Sequence, residues 1–323
     1  MRAGLRAIPL ELRQVAAVLG IALVLGASFV AAYTVALGRP VPRHLPIGVV
    51  GEASPRLLAE LERHSHELEP RRYPDRAAAV EAVDQQTITA VIDTTAAPPE
   101  LLISSASDPS TARVLTQIDQ AATGQPALKI VDLHPLPAED PAGLATFYLT
   151  IAATILGFVT MFQLRANVKT LTLGRWLGCL AVLAVVGGAL LAAVAGPVLG
   201  ALRTPYPVLW ALVAVQIGVA AMFNSAMLVM IHRWAIIPTW LVFILLGNTS
   251  SGGAVSATLL PQPFSFLNHA LPSGAAVSAI HSATYFPDHQ RLGPYLVLGV
   301  WLVASLLVLV VASRRLQRSP AQA

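Results

Sequence analysis

The sequence predicts an α-helical integral membrane protein with about six transmembrane helices and a small extracytoplasmic α/β domain inserted between helices one and two. Two observations predict this fold class. The 323 residues are 55% hydrophobic and only 12% charged, with a mean hydropathy of +0.66, which is too apolar for an ordinary soluble fold. In addition, 15 of the 17 acidic residues lie within residues 52–140, so the second half of the chain is almost free of carboxylates.

Six apolar segments without charged residues are the predicted spans. Residues 15–37 form the first, and these 23 residues make a helix of about 34 Å, enough for the ~30 Å hydrocarbon core. An uncleaved anchor is favoured over a signal peptide, because the apolar run is too long and the sequence after Leu37 is a poor cleavage site. The other spans are residues 144–164, 176–202, 207–231, 234–247 and 292–312. The fifth, with 14 residues, is short for a full crossing, and a re-entrant helix is the alternative.

Basic residues predict the orientation. Ten Lys or Arg residues and one acid, Glu11, lie at the amino terminus, between spans two and three, between spans four and five, and at the carboxyl terminus. With six spans these segments share one side, so the positive-inside rule predicts a multi-pass protein of the cell membrane with both termini cytoplasmic. Residues 1–14 then form a cytoplasmic amphipathic segment, and residues 38–143 and 248–291 lie outside.

The hydrophilic region of residues 38–143 carries nine basic and 15 acidic residues, a formal charge of −6. Its periodicity predicts the order β-α-α-β-β-α-β. The predicted strands are residues 46–50, 87–92, 101–105 and 127–133, and the predicted helices are residues 55–66, 75–85 and 110–122. His64 and His66 are two residues apart, so on a helix they point in different directions and do not predict a metal site. Without a hydrolase motif, the domain is interpreted as a docking or gating surface.

The predicted spans contain no Asp, Glu, Lys or Arg. Proton- and ion-coupled transporters usually need such groups inside the membrane, so a secondary pump is disfavoured. The chain also lacks a Gly-x-x-x-x-Gly-Lys-Ser/Thr loop, so we expect no cofactor and no ATPase activity of its own. Gln216, Asn224 and Ser225 are candidate intramembrane polar contacts, and hydrogen bonding between helices is favoured over contact with a substrate.

Residues 165–175, between spans two and three, form a basic cytoplasmic loop with room for about two helical turns. We interpret Arg165, Lys169 and Arg175 as a coupling site for a cytoplasmic ATPase. Anchoring to the anionic headgroups of membrane lipids is an equal alternative. No run of Lys or Arg is long enough to predict a nucleic-acid partner.

A family resemblance rests on three runs in the carboxy-terminal part: residues 246–253 (LGNTSSGG), 259–261 (LLP) and 271–277 (LPSGAAV). They resemble the signature of the phage-infection-protein-like membrane proteins, which belong with the type 2 ABC export permeases. The layout of one span, an external domain and five further spans is also similar, but the external domain here is compact. The resemblance implies a permease that works as a homodimer, or as a heterodimer with a similar permease, with a separate cytoplasmic ATPase subunit.

Three functions compete for this chain. The first is the permease subunit of an ABC-type export system for a lipid-like or amphipathic substrate. The second is a non-transporting receptor or scaffold that presents the external domain. The third, an intramembrane enzyme, lacks a carboxylate, a zinc ligand set or a Ser/His pair in the spans.

The permease hypothesis predicts an outer gate. Residues 248–291 are rich in Gly, Ser, Pro and apolar residues and hold only two charges, which is typical of a re-entrant or interfacial hairpin and unlike a solvated loop. An amphipathic loop on the membrane surface is the alternative. The predicted gate residues are Asn248, Gly252, Gly253, Pro272 and Gly274, with the glycines permitting the turns.

Overall fold

The computed structural model describes residues 10–38, 45–52, 68–113, 115–116, 128–168 and 170–318. Apolar helices dominate it, and a small sheet follows the first helix in the chain. The general prediction of a helical membrane protein with a small sheet region is confirmed. Residues 1–9 of the predicted amphipathic segment, the predicted helix at 55–66 with its two histidines, and Lys169 lie outside the described residues.

Five strands form one sheet in the order β2-β1-β3-β4-β5. β3 and β4 are antiparallel, and the other neighbours are parallel. The strands are β1, Leu45–Val50; β2, Leu68–Tyr73; β3, Ala90–Asp93; β4, Glu100–Ile103; and β5, Lys129–Asp132.

The hydrophobic pattern missed strand β2. This strand is at the edge of the sheet, Leu68 is its one buried side chain, and Pro70 lies inside it. An edge strand tolerates proline because its outer N–H groups have no ladder partner. A strand that buries so little apolar surface has no alternating pattern to detect.

Apolar side chains cover both faces of the sheet. Ile47 and Ile92 pack with Ala112, which lies in a helical segment beginning at residue 109. On the other face Val91 packs against helix α2, Arg76–Asp84. Neighbouring residues of one strand thus face opposite layers, as the period of two requires.

The long helices pack around a central helix, α5 (Tyr206–Ile231). This helix contacts α3 (Ala145–Asn167), α4 (Leu173–Ala193), α8 (Pro272–Tyr285) and α9 (Leu292–Arg318). Two glycines allow close approach: a Cβ on Gly157 of α3 would lie 2.6 Å from the Ile217 carbonyl oxygen, and one on Gly188 of α4 would lie 2.9 Å from Ala214. The helices are α1, Leu10–Leu37; α3, Ala145–Asn167; α4, Leu173–Ala193; α5, Tyr206–Ile231; α6, Ile236–Thr239; α7, Phe264–Ala270; α8, Pro272–Tyr285; and α9, Leu292–Arg318.

Five described segments are long and apolar enough to cross a membrane: Glu11–Leu37, Ala145–Asn167, Leu173–Val198, Tyr206–Gly247 and Leu292–Arg315. The fourth joins the predicted spans four and five, but it is interrupted at His232, where φ is 55°. After this break, α6 has four residues and a π-helical segment, Trp240–Gly247, has eight, together about 18 Å. The fifth predicted span is therefore not a membrane-length helix of its own.

The helix bundle has two distinct ends. At one, called the basic end, Arg165 of α3, Leu173 of α4, Val229 of α5 and Ser313 of α9 line the same cavity. At the other, called the sheet end, an ion pair of 3.7 Å joins Glu139, just before α3, to Arg203, just before α5.

Candidate functional site

Gln216 and Asn224 are fully buried and connect α5 to its neighbours. The Gln216 Nε2 donates to Thr154 Oγ1 of α3 at 2.8 Å. The Asn224 Nδ2 donates to the Phe158 carbonyl of α3 at 3.0 Å, and its Oδ1 accepts from Thr239 Oγ1 of α6 at 3.1 Å. α5 is therefore hydrogen-bonded both to α3 and to the helix that follows the break.

Ser225 connects α5 to α4. Its Oγ donates to the Ala221 carbonyl at 2.7 Å and accepts from Trp176 Nε1 at 2.9 Å. Such bonds are worth about 0.6–2 kcal/mol each within a membrane. These contacts support the interhelical interpretation of the three predicted polar residues. Among the described residues, the Gln216 Oε1 has no hydrogen-bond partner.

The π-helical segment Trp240–Gly247 lies beside α1. Tyr33 of α1 donates its hydroxyl to the Ile244 carbonyl at 3.3 Å, and the rings of Phe29 and Trp240 are 6.4 Å apart. π-helical turns are rare and frequently occur at functional sites. The Tyr33 hydroxyl thus donates a hydrogen bond to a carbonyl of this irregular segment and connects α1 to the interrupted helix.

Asn268 is the centre of the predicted gate region, although sequence reasoning missed it. Its Nδ2 donates to the Ser250 carbonyl at 2.8 Å. A Cβ on Gly252 would lie 3.0 Å from the same Nδ2, and one on Gly274 would overlap the Asn268 carbonyl oxygen. The available signal was an asparagine within a short, mostly apolar stretch, residues 264–270.

The Gly-rich loop, residues 247–253, is wedged between α3 and α8. A Cβ on Gly253 would lie 2.7 Å from Phe147 Cβ of α3, and one on Gly247 would lie 2.7 Å from Ser273 Oγ of α8. Asn248 is 6% exposed, and Pro272 is in the first turn of α8. The structure thus brings the five predicted gate residues into one region of close backbone packing.

The described residues between Leu45 and Asp140, here called the sheet domain, contact the surroundings of the predicted gate region through two polar side chains. His281 of α8 donates Nε2–H to the Ala106 carbonyl, and Thr258 Oγ1 donates to Asp108 Oδ2 at 3.4 Å. Both contacts join residues far apart in the chain, so no local sequence pattern predicts them. The sheet domain therefore contacts the bundle at α8 and at the segment that follows the Gly-rich loop.

The loop that was predicted to couple to an ATPase is shorter than the sequence suggested. α3 continues to Asn167 and α4 begins at Leu173, so much of the expected 11-residue loop belongs to these two helices. Arg165 is in the last turn of α3 and Arg175 in the first turn of α4, and both are exposed. A separate short helix has no room between them.

An ion cluster lies at one end of the sheet. Arg76 contacts Asp93 at 3.2 Å and Glu100 at 2.5 Å, and Lys129 contacts Glu100 at 2.8 Å. Hydrogen bonds from Lys129 and Arg76 lower the pKa of Glu100. Burial alone would raise the pKa of Asp93, but hydrogen bonds from Thr95 and Arg76 outweigh it and lower that pKa. The charges are mutually compensated, which is typical of a structural cluster.

A shallow cavity of about 420 Å³ lies at the sheet end of the bundle. Its wall combines the exposed Glu139–Arg203 ion pair with the apolar side chains of Pro197 and Leu202. Within the described part of the chain, no group of three or more His, Cys, Asp or Glu side chains is arranged to hold a metal ion.

Comparison of the chain with protein-family models, with curated proteins and with solved structures gives no match.

Proposed function

We propose that this chain is the membrane permease subunit of an ABC-type export system, and that it moves a lipid-like or amphipathic substrate. The observation that carries the proposal is the interrupted helix ending at Gly247, followed by a loop buried against α3, α7 and α8. Within membranes, non-helical backbone is tolerated only where protein buries it or where it lines a cavity, and transporters place their binding sites at such breaks.

ATP hydrolysed by a separate cytoplasmic subunit would supply the energy. The buried polar side chains at the core of the bundle, such as Gln216, Asn224 and Ser273, are neutral. Neutral amides and hydroxyls do not take up and release protons near neutral pH, so they do not support a proton-coupled mechanism.

In the proposed topology the chain crosses the membrane six times, with both termini in the cytoplasm. Residues 236–247 and α8 together form the fifth crossing, and the chain between them, which includes α7, forms the re-entrant turn at the outer end. Two features support this arrangement: basic helix ends meet around one cavity, and the acidic sheet domain docks at the opposite end.

The outer gate would be the packed region of Asn248, Gly252, Gly253, Pro272 and Gly274. The sheet domain touches both the segment after the Gly-rich loop and helix α8, so a movement of either element would be transmitted to the domain. Helix α1 leaves large apolar side chains uncovered, which supports a homodimer or a pair with a similar permease, alongside contact with membrane lipids.

Copurification with ATPase activity tests the proposal. The tagged full-length chain, isolated from its native host in mild detergent, should carry a nucleotide-binding subunit that hydrolyses ATP. Replacing Arg165, Lys169 and Arg175 together by Gln should remove that subunit, whereas replacing Arg314 and Arg315 by Gln should not. A preparation without the subunit and without ATPase activity would favour the receptor or scaffold.

Cysteine labelling tests the topology in a Cys179→Ala background. Ala77 on α2 and Thr170 at the basic end are both exposed. A membrane-impermeant thiol reagent should modify Ala77→Cys in intact cells and leave Thr170→Cys unmodified. The opposite labelling pattern would reverse the orientation.

A further inference from the structure

The basic end of the bundle contains a cavity of about 180 Å³ between α3, α4, α5 and α9. Among the described residues, the lining is mostly apolar, with Arg165 as its one charged side chain and Ser225 and Ser313 as its hydroxyl groups. This cavity is separate from the gate region at the other end.

The Arg165 guanidinium has no carboxylate partner on the surrounding helices. The sequence contains no Asp or Glu between Asp140 and Asp288 and none after Asp288, so α3, α4, α5 and α9 supply no negative charge. Arg314 and Arg315 follow Ser313 directly and add positive charge beside the cavity. An arginine keeps its proton at all physiological pH values, and its planar group matches two phosphate oxygens. The site therefore favours an anion.

The inner part of the cavity favours hydrocarbon. Trp176, Leu228 and Leu309 line it, and each is at most 7% exposed. The Ser225 Oγ already donates to the Ala221 carbonyl and accepts from Trp176 Nε1, so it offers little to a polar ligand. A wall of this kind accepts methylene groups and offers no hydrogen-bond partner to a polar group placed against it.

We infer that this cavity binds an anionic phospholipid, with its phosphate on Arg165 and the first methylene groups of an acyl chain against Leu228 and Leu309. The inference rests on the placement of the four helices in a membrane and not on export. An anionic lipid is favoured over a zwitterionic one, because a choline ammonium group would face arginines while the four surrounding helices supply no carboxylate to pair with it. Free phosphate lacks the hydrocarbon that the inner wall would cover.

Thermal unfolding of the delipidated full-length chain in detergent, titrated with phosphatidylglycerol, tests the inference. Phosphatidylglycerol should raise the unfolding temperature of the wild type, and phosphatidylcholine and inorganic phosphate should have little effect. Arg165→Gln should need about tenfold more phosphatidylglycerol for half of the shift, because a charge-assisted contact to phosphate is lost. Arg175→Gln is the matched control: it removes the same charge at the same end but does not line the cavity.

A second variant keeps the test decisive if Arg165→Gln folds poorly. Val229→Phe fills the cavity from α5 without removing charge, and it should abolish the shift produced by phosphatidylglycerol. Four results would overturn the inference: an equal shift with phosphatidylcholine, a full shift with phosphate alone, a wild-type response in Val229→Phe, or a response in Arg175→Gln as weak as that in Arg165→Gln. The last result would assign the effect to general surface charge.

Discussion

Replacing Gly252 by valine should destabilise the folded protein, because two structural costs add at this position. The φ of Gly252 is +77°, a region that costs L-residues about 1–2 kcal/mol. A Cβ there would also lie 3.0 Å from Asn268 Nδ2, which donates to the Ser250 carbonyl at 2.8 Å. Displacing this amide leaves a buried carbonyl unpaired, at about 1–3 kcal/mol. Gly252→Val should therefore reduce the free energy of unfolding by about 2–5 kcal/mol.

Thermal unfolding in detergent measures this loss. A decrease of 2 kcal/mol lowers the unfolding temperature by at least about 4 °C for a chain of 150–250 residues, and somewhat less for a longer one. Gly178→Val is the control, since no atom lies within 4 Å of a Cβ built at Gly178. Gly252→Asn should fall between them, because asparagine adopts positive φ more readily. The reasoning fails if Gly252→Val and Gly178→Val unfold at the same temperature.

The same region gives a prediction about transport. In the permease proposal, replacing both Gly252 and Gly253 by Val abolishes export, because the Gly-rich loop no longer fits between Asn268 and Phe147. Export is measured in cells that insert the variant into the membrane normally. Unchanged export from a well-expressed double variant would place the gate elsewhere.

Three further predictions concern single side chains. Asp140 accepts from two backbone N–H groups at the start of α3, those of Leu144 and Ala145, at 2.9 Å each, so Asp140→Ala should cost about 1–3 kcal/mol of stability and Asp140→Asn less, measured by thermal unfolding. Hydrogen bonds from Lys129 and Arg76 lower the pKa of Glu100. The stability that these ion pairs contribute is therefore fully present above pH 4.5 and is lost as the pH falls through the lowered pKa of Glu100. Unfolding curves of Glu100→Gln should lose this part of the acid dependence. Tyr33→Phe should lower stability by about 0.5–1.5 kcal/mol by removing the bond between α1 and the interrupted helix, whereas Tyr148→Phe, on a side chain 60% exposed, should have no effect.

Local sequence patterns were sufficient to predict an element whose structure depends mainly on its own residues. A segment such as residues 207–231 is uncharged and long enough to span a membrane, and the structure has a helix at Tyr206–Ile231. The apolar residues within 87–92 likewise predict a strand, and the structure has one at Ala90–Asp93. In both cases the signal is the apolar character of a short run of residues.

The same patterns were insufficient where an element depends on another part of the chain. Strand β2 is held at the sheet edge by pairing with β1, although most of its side chains are exposed. The segment 234–247 is as apolar as a span, yet the positive φ at His232 and the packing of its end against Ser273 make it a short interrupted helix.

The sequence by itself determined that the chain is a helical membrane protein with a more charged region after its first apolar helix, because hydrophobicity and charge are properties of the residues themselves. Only the tertiary structure decided which further residues contact the predicted gate region. Asn268 reaches the Gly-rich loop across 18 residues, and His281 meets Ala106 across 175. Such contacts depend on how separate elements pack, and no local periodicity encodes the distance between them.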